Sequence, residues 1–228
     1  MTERRGAFQR RTRETDTAAT WDLDGRGEAE VSTGIGMLDH LISQIARHGR
    51  FDLALQAQGD LHVDAHHTVE DAAIVLARAF DGALGERRGI TRMGDATVPL
   101  DEALALVAVD LGGRGYAVLD LPFGGPVLGQ LPTELIEHFL ETFAREGRMT
   151  LHARLLAGRN DHHRAEAVFK ALARALDQAT TRDERLAGEV PSTKGVIERV
   201  SHQEEAPPVP PAPKPVDPLN RPIRYRGR

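Results

Sequence analysis

Asp64-Ala65-His66-His67-Thr68-Val69-Glu70 decides how this chain is read, because its pattern occurs twice. Ninety-six positions later stands Asn160-Asp161-His162-His163-Arg164-Ala165-Glu166. On a helix, residues four apart share a face and adjacent residues diverge by about 100°. His66 and Glu70 can therefore grip one cation together, while His67 points elsewhere, toward a second. The same holds for His162 with Glu166, and for His163. A single copy would look like an ordinary helix start, with Asp64 or Asp161 as the cap and a glutamate in the first turn. Two copies at one unusual spacing argue for ligands to two metal ions.

Outward from the histidine pairs, the pattern is of strands and amphipathic helices. Leu38, Leu41, Ile42 and Ile45 make the apolar stripe of a helix over residues 38–48, with Gly49 where a C-terminal glycine belongs. His40, Gln44 and His48 form a polar line beside that stripe. Phe51, Leu53, Leu55 and Ala57 alternate as in a half-buried strand, and residues 61–63 read as a further short strand. Val69, Ala72, Ala73, Leu76, Phe80 and Leu84 continue the helix behind the first histidine pair, which ends at Gly85. Nearer the start, Asp24-Gly25-Arg26-Gly27 reads as a hairpin turn between two short strands within residues 16–33. Residues 1–15 read as a basic arm or an edge strand.

The second half repeats the first. Leu38-Asp39-His40 matches Ile136-Glu137-His138, and Leu53 matches Leu151, both at an offset of 98. Leu76-Ala77-Arg78-Ala79 matches Leu172-Ala173-Arg174-Ala175 at 96. That period is too long for a solenoid and indicates a duplicated α+β unit, each half a sheet with helices on one face. The expected boundaries are 1–91 for the first half and 92–200 for the second, followed by a disordered tail over 201–228. Eight of the 13 prolines lie in those last 28 residues, a composition that favours extended, partly polyproline chain. Each half offers His40 or His138 from its first helix, two adjacent histidines and one glutamate. Shared between two ions, the set gives each three histidines and one glutamate, so the halves must meet, within one chain or across a subunit interface. Imidazole and carboxylate donors do not choose among Zn, Mn, Fe and Co.

The totals exclude several classes. There is no cysteine among the 228 residues, which removes disulfides and thiolate metal sites. The formal net charge is −5, which argues against bulk attraction to nucleic acid. No run of about 18 apolar residues and no signal-like N-terminus is present, so a cytoplasmic protein is expected. Arg92, Arg114, Ser192 and Lys194 stand in turn-like segments and together would make a phosphate cradle.

Several of these motifs, in order, resemble the imidazoleglycerol-phosphate dehydratases of histidine biosynthesis. They are Gly34-Ile35-Gly36-Met37-Leu38-Asp39-His40, Gln44-Ile45-Ala46-Arg47-His48-Gly49, residues 64–71, Asn160-Asp161-His162-His163 and Pro191-Ser192-Thr193-Lys194-Gly195. The resemblance covers about residues 8–197. It implies a duplicated fold of the ribosomal-S5-domain-2-like kind and 24-subunit shells built from trimers. It also implies two Mn2+ per active site at subunit interfaces, other divalent ions being possible. Its eight ligand positions fall on His40, His66, His67, Glu70, His138, His162, His163 and Glu166. Its substrate positions fall on Glu14, Gln44, His48, Arg92, Arg114, Ser192 and Lys194. The implied reaction is dehydration of D-erythro-imidazole-glycerol phosphate to imidazole-acetol phosphate, with the ring bound as imidazolate. Glu14 would be the acid/base, with His48 or a metal-bound water as a substitute. Gly112 and Gly115 depart from the family's usual Ser and Pro near Arg114. The chain carries no fused phosphatase domain, so one activity is expected. Rival readings are a metal-dependent phosphoester hydrolase and a structural, metal-bridged assembly.

Overall fold

The computed structural model describes residues 3–186 and 188–197. The first half runs β1 (Arg5–Arg11), β2 (Thr15–Asp22), β3 (Ala29–Ser32), α1 (Gly36–Gly49), β4 (Asp52–Gly59) and α2 (His66–Leu84). The second runs β5 (Met93–Leu100), β6 (Ala103–Asp110), β7 (Tyr116–Asp120), a small hairpin of β8 (Val127–Leu128) and β9 (Leu131–Pro132), α3 (Thr133–Glu146), β10 (Thr150–Ala157) and α4 (Asp161–Thr180). The two four-stranded sheets have the same plan: β1-β2-β4-β3 and β5-β6-β10-β7. In each, three strands are antiparallel and the last lies parallel to its neighbour. The duplication expected from the histidine pairs is therefore a duplication of topology.

Strand alternation sets the core. Thr15, Thr17, Ala19 and Trp21 of β2 point inward, as do Ala103, Ala105, Val107 and Val109 of β6. α2 covers β1 and β2, and α4 covers β5 and β6. The other two helices cross over: α1 packs on α4, and α3 packs on α2. Trp21 joins the halves, meeting Phe80 of α2 edge-on at 5.0 Å and stacking on Phe143 of α3 at 6.2 Å. Burying an indole removes roughly 200 Å² from water, worth about 5 kcal/mol. Close approach of strand to helix requires glycine at matching places. A Cβ on Gly6 would lie 2.0 Å from the Ala79 carbonyl oxygen, and one on Gly94 2.2 Å from that of Ala175.

The strand registers expose a second offset. Val31 pairs with Leu55 and Leu119 with Ala153; Thr17 pairs with Ala57 and Ala105 with Leu155. Strands before the first helix of each half therefore correspond at 88, while the later elements correspond at 96 to 98. The segment carrying β8 and β9 holds the ten extra residues.

Four local expectations are corrected. Asp24–Gly27 is not a hairpin turn, because β3 crosses past β2 and pairs with β4. Residues 61–63 form a turn, with Val63 N–H donating to the Asp60 carbonyl at 2.7 Å. The left-handed residue after α1 is Arg50, at φ 60°, rather than Gly49. Glycine at 49 serves packing instead, since a Cβ there would sit 2.4 Å from the Phe51 ring. Asp161 does not cap α4: Asn160 does, accepting from His162 N–H at 2.9 Å. The basic arm is an edge strand from Arg5 onward. The proline-rich tail expected over 201–228 lies outside the described residues.

Candidate active site

Crossing of helices between the halves builds two donor clusters. His40 of α1 meets His162 and Glu166 of α4, and His138 of α3 meets His66 and Glu70 of α2. In each cluster one ligand atom from every residue lies within 4.8 Å of the others. His40 Nε2 and His162 Nε2 both stand 2.8 Å from Glu166 Oε1. In the second cluster His66 and His138 stack at 4.5 Å, and His138 Nε2 lies 3.8 Å from Glu70 Oε1. That nitrogen is buried with no hydrogen-bond partner. A buried polar atom normally has a partner, and two imidazoles facing one carboxylate are a donor set for a divalent cation. The residues present thus fit a metal ion, twice. A cavity of about 400 Å³ lined by Gly36, Met37, His40, Gly129, Gln130 and His162 opens beside the first cluster.

The polar line on α1 is not a solvated face. Gln44 is buried, and its Oε1 is 3.2 Å from His48 Nε2. Opposite stands Lys170 of α4, whose Nζ is 2.6 Å from Glu166 Oε2. Burial would raise the Glu166 carboxyl, but hydrogen bonds from Lys170, His40 and His162 outweigh it and hold it at about 2. Burial, and next the Lys170 charge, lowers His48, so its imidazole is neutral near pH 7.

His67 and His163 join neither cluster. His67 Nδ1 faces Asp60 at 3.2 Å, with Glu14 at 3.8 Å. His163 Nδ1 faces Glu102 at 2.8 Å. Each carboxylate raises its histidine, by the hydrogen bond from Asp60 and from Glu102 respectively. Glu102 is itself held down at about 2, first by His163 and then by backbone N–H groups. Glu14 reaches this place because buried Asp71 of α2 binds Thr15 and Arg10, tying the β1–β2 tip to the start of α2.

The candidate phosphate residues lie at the opposite end of the second sheet. Arg92, at φ 72°, holds both oxygens of Asp110 at 2.6 and 2.9 Å and donates to the Pro191 carbonyl at 2.7 Å. It thus bridges the turn that leads to Arg114 and the loop carrying Ser192 and Lys194. A Cβ at Gly112 would lie 2.9 Å from Arg92 Nη2 and 2.8 Å from Asp110. Glycine there gives the ion pair its room. The Arg92 N–H donates to the Ala179 carbonyl at the C-terminal end of α4, whereas His162 and Glu166 stand at its beginning. At 1.5 Å per helical residue, cradle and cluster are about 20 Å apart within one chain.

Comparison with known proteins decides what this constellation belongs to. A family model described as imidazoleglycerol-phosphate dehydratase matches residues 33–176. The chain is 58% identical over 198 residues to an imidazoleglycerol-phosphate dehydratase of Dehalococcoides mccartyi, covering 87% of this chain and 100% of that protein. It belongs to the imidazoleglycerol-phosphate dehydratase family. A relative of that name from Roseiflexus sp. is 59% identical over 194 residues, 85% of this chain and 98% of the relative. The fold agrees with an imidazoleglycerol-phosphate dehydratase crystal structure from Pyrococcus furiosus in complex with (S)-C348: TM-score 0.71, 36% identity, 83% of this chain and 99% of that one. A Staphylococcus aureus dehydratase structure gives TM-score 0.68 at 31% identity, covering 77% and 98%.

Within this family member, the structure gathers six of the eight candidate metal ligands into two clusters and leaves His67 and His163 apart. It places Gln44 and His48 on the same helix as His40, Glu14 beside His67, and Arg92 beside the 191–194 loop. Sequence reading missed Asp60, Glu102 and Lys170. Lys170 carried a signal, standing four residues after Glu166 on the same helical face. Asp60 and Glu102 lay in turns and had none.

Proposed function

We propose that this chain removes water from D-erythro-imidazole-glycerol phosphate to give imidazole-acetol phosphate, as a cytoplasmic hydro-lyase of histidine biosynthesis. Two divalent ions per active site, Mn2+ by family resemblance, would be held by the His40–His162–Glu166 and His66–Glu70–His138 clusters. The observation that carries this reading is the twin cluster, with the buried nitrogen of His138 aimed into it, in a chain of this family. When bound, the two cations supply the positive charge that favours a deprotonated imidazole ring.

The chain's own groups have separable tasks. Arg92, Arg114, Ser192 and Lys194 bind the phosphate, and that remote binding positions the ring and side chain. Gln44 orients a hydroxyl. Glu14 moves a proton at the side chain, where one carbon–hydrogen and one carbon–oxygen bond break; neutral His48 is the second group able to do so. A substrate of this size does not span about 20 Å, so the cradle of one copy serves the clusters of another. This supports a homo-oligomer, with a shell of 24 built from trimers as the assembly the resemblance implies. His67 and His163, outside both clusters, are then donors offered across that contact.

The test is direct. Metal-stripped protein is incubated with imidazole-glycerol phosphate with and without Mn2+. The ketone product should appear only with the ion. Release of inorganic phosphate instead would mark a hydrolase, and assembly without turnover a structural ion.

A further inference from the structure

His67 and His163 each turn Nδ1 toward a carboxylate of their own chain, but the two carboxylates come from different places. Asp60 belongs to the turn after β4 and faces His67 at 3.2 Å to either oxygen. Glu102 belongs to the tip between β5 and β6 and faces His163 at 2.8 Å. With Thr17 matched to Ala105 by register, Glu102 is the counterpart of Glu14. The two glutamates are held very differently. Glu102 accepts from His163 through Oε2 and from the backbone N–H groups of Arg159 and Asn160 through Oε1, at 3.2 and 2.8 Å. Glu14 has a side chain 56% exposed, and its carboxylate comes no closer than 3.8 Å to His67.

An ionised carboxylate only accepts hydrogen bonds, so the ring nitrogen that faces it carries the proton. The lone pair then sits on Nε2, on the far edge of the imidazole. Asp101 stands at that edge, with Oδ2 3.7 Å from Nε2, beyond hydrogen-bond reach. A carboxylate behind a histidine in this way fixes both the tautomer and the ring orientation of a metal donor.

From this geometry we infer that Glu102 is a positioning residue, holding His163 as the Nδ1–H tautomer with Nε2 presented to a divalent cation, and that Asp60 does the same for His67. One position of the duplicated unit has thus divided its work: Glu102 orients a ligand, and Glu14, relieved of that task by Asp60, is left for proton transfer. The inference rests on the reading of His163 as a ligand.

The experiment is a Mn2+ titration of the metal-stripped full chain followed by electron paramagnetic resonance, on wild type, Glu102→Gln and His163→Ala. In Glu102→Gln the amide oxygen satisfies the backbone N–H groups and the NH2 turns to Nδ1, forcing the proton onto Nε2. One Mn2+ binding step should weaken roughly 10–100-fold, and His163→Ala should weaken it at least as much. Wild-type binding by Glu102→Gln alongside a weakened His163→Ala overturns the role of Glu102 and leaves the site reading intact. Wild-type binding by His163→Ala overturns both. Because Glu102 also fastens the start of α4, long-range 1H–15N spectra of metal-free wild type, recorded at a pH high enough for the ring to be neutral, provide a check without substitution. They should show neutral His163 protonated at Nδ1; a neutral ring protonated at Nε2 overturns the inference.

Discussion

The two clusters hold the same donors in different company. Around Glu166, both imidazoles stand at 2.8 Å and Lys170 at 2.6 Å, so the carboxylate is already compensated from within the chain. Around Glu70, His138 is 3.8 Å away with a buried, partnerless nitrogen. The residue that matches Lys170 at the 96 offset is Ile74, buried and apolar. Duplication preserved the candidate donors and let their surroundings diverge. Two clusters that look alike in sequence therefore differ in the charge that surrounds their carboxylates.

The largest expected effect tests whether both clusters are needed. Glu166→Ala and Glu70→Ala should each abolish turnover; a variant with substantial ketone formation would show that its cluster is dispensable. Next comes the pair Glu14 and Glu102. Glu14→Gln should lower kcat by roughly 10²–10⁴-fold while Mn2+ content stays at the wild-type level, whereas Glu102→Gln should show its loss first in metal binding. Near-normal turnover in Glu14→Gln would remove it from the chemistry.

Sheet geometry supplies the third prediction. Arg92→Ala should lower kcat/KM about 10–100-fold, the worth of charge-assisted hydrogen bonds to a phosphate. Since the cradle and the Glu166 cluster of one chain stand about 20 Å apart, co-assembling Arg92→Ala with Glu166→Ala should recover activity above that of either alone. Mixed assemblies no more active than their parents would place the whole site within one chain.

Smaller effects separate the clusters electrostatically. Lys170→Ile makes the Glu166 site resemble the Glu70 site, and removing a cation 2.6 Å from a ligand should tighten Mn2+ there severalfold; calorimetric titration reads the change, and unchanged or weaker binding would count against it. The smallest effect is on stability. Glu166 titrates at about 2 against an ordinary 4.5. Its contribution is thus fully present above about pH 4.5 and lost as pH falls toward 2. In metal-free protein, the melting-temperature gap between wild type and Glu166→Gln should change across that window in the direction that costs the wild type. A gap that stays constant would contradict the shift.

The sequence carried the fold class because the helices and histidine pairs repeat at 96 to 98. It hid the correspondence of the early strands, since ten residues around β8 and β9 change the offset to 88. Glu14 and Glu102 therefore did not look like counterparts. The turn at Asp24–Gly27 was misread because local turn chemistry does not say which strand comes next in the sheet; Ala29 pairs with Leu53, not with β2. Ligand counting showed that the halves must meet, but not that His40 would join His162 rather than His66. That choice is made by the packing of α1 on α4. Likewise, Arg92 and His162 read as parts of one site in a motif scan, while α4 holds them at its two ends.

The central claim is that each cluster holds one cation. The measurement is Mn2+ content per chain, by metal analysis after loading and desalting, for wild type, Glu70→Ala and Glu166→Ala. Two ions in wild type and one in each variant is the result expected. Wild type that retains no ion yet turns over fully, or variants that retain both, would contradict it.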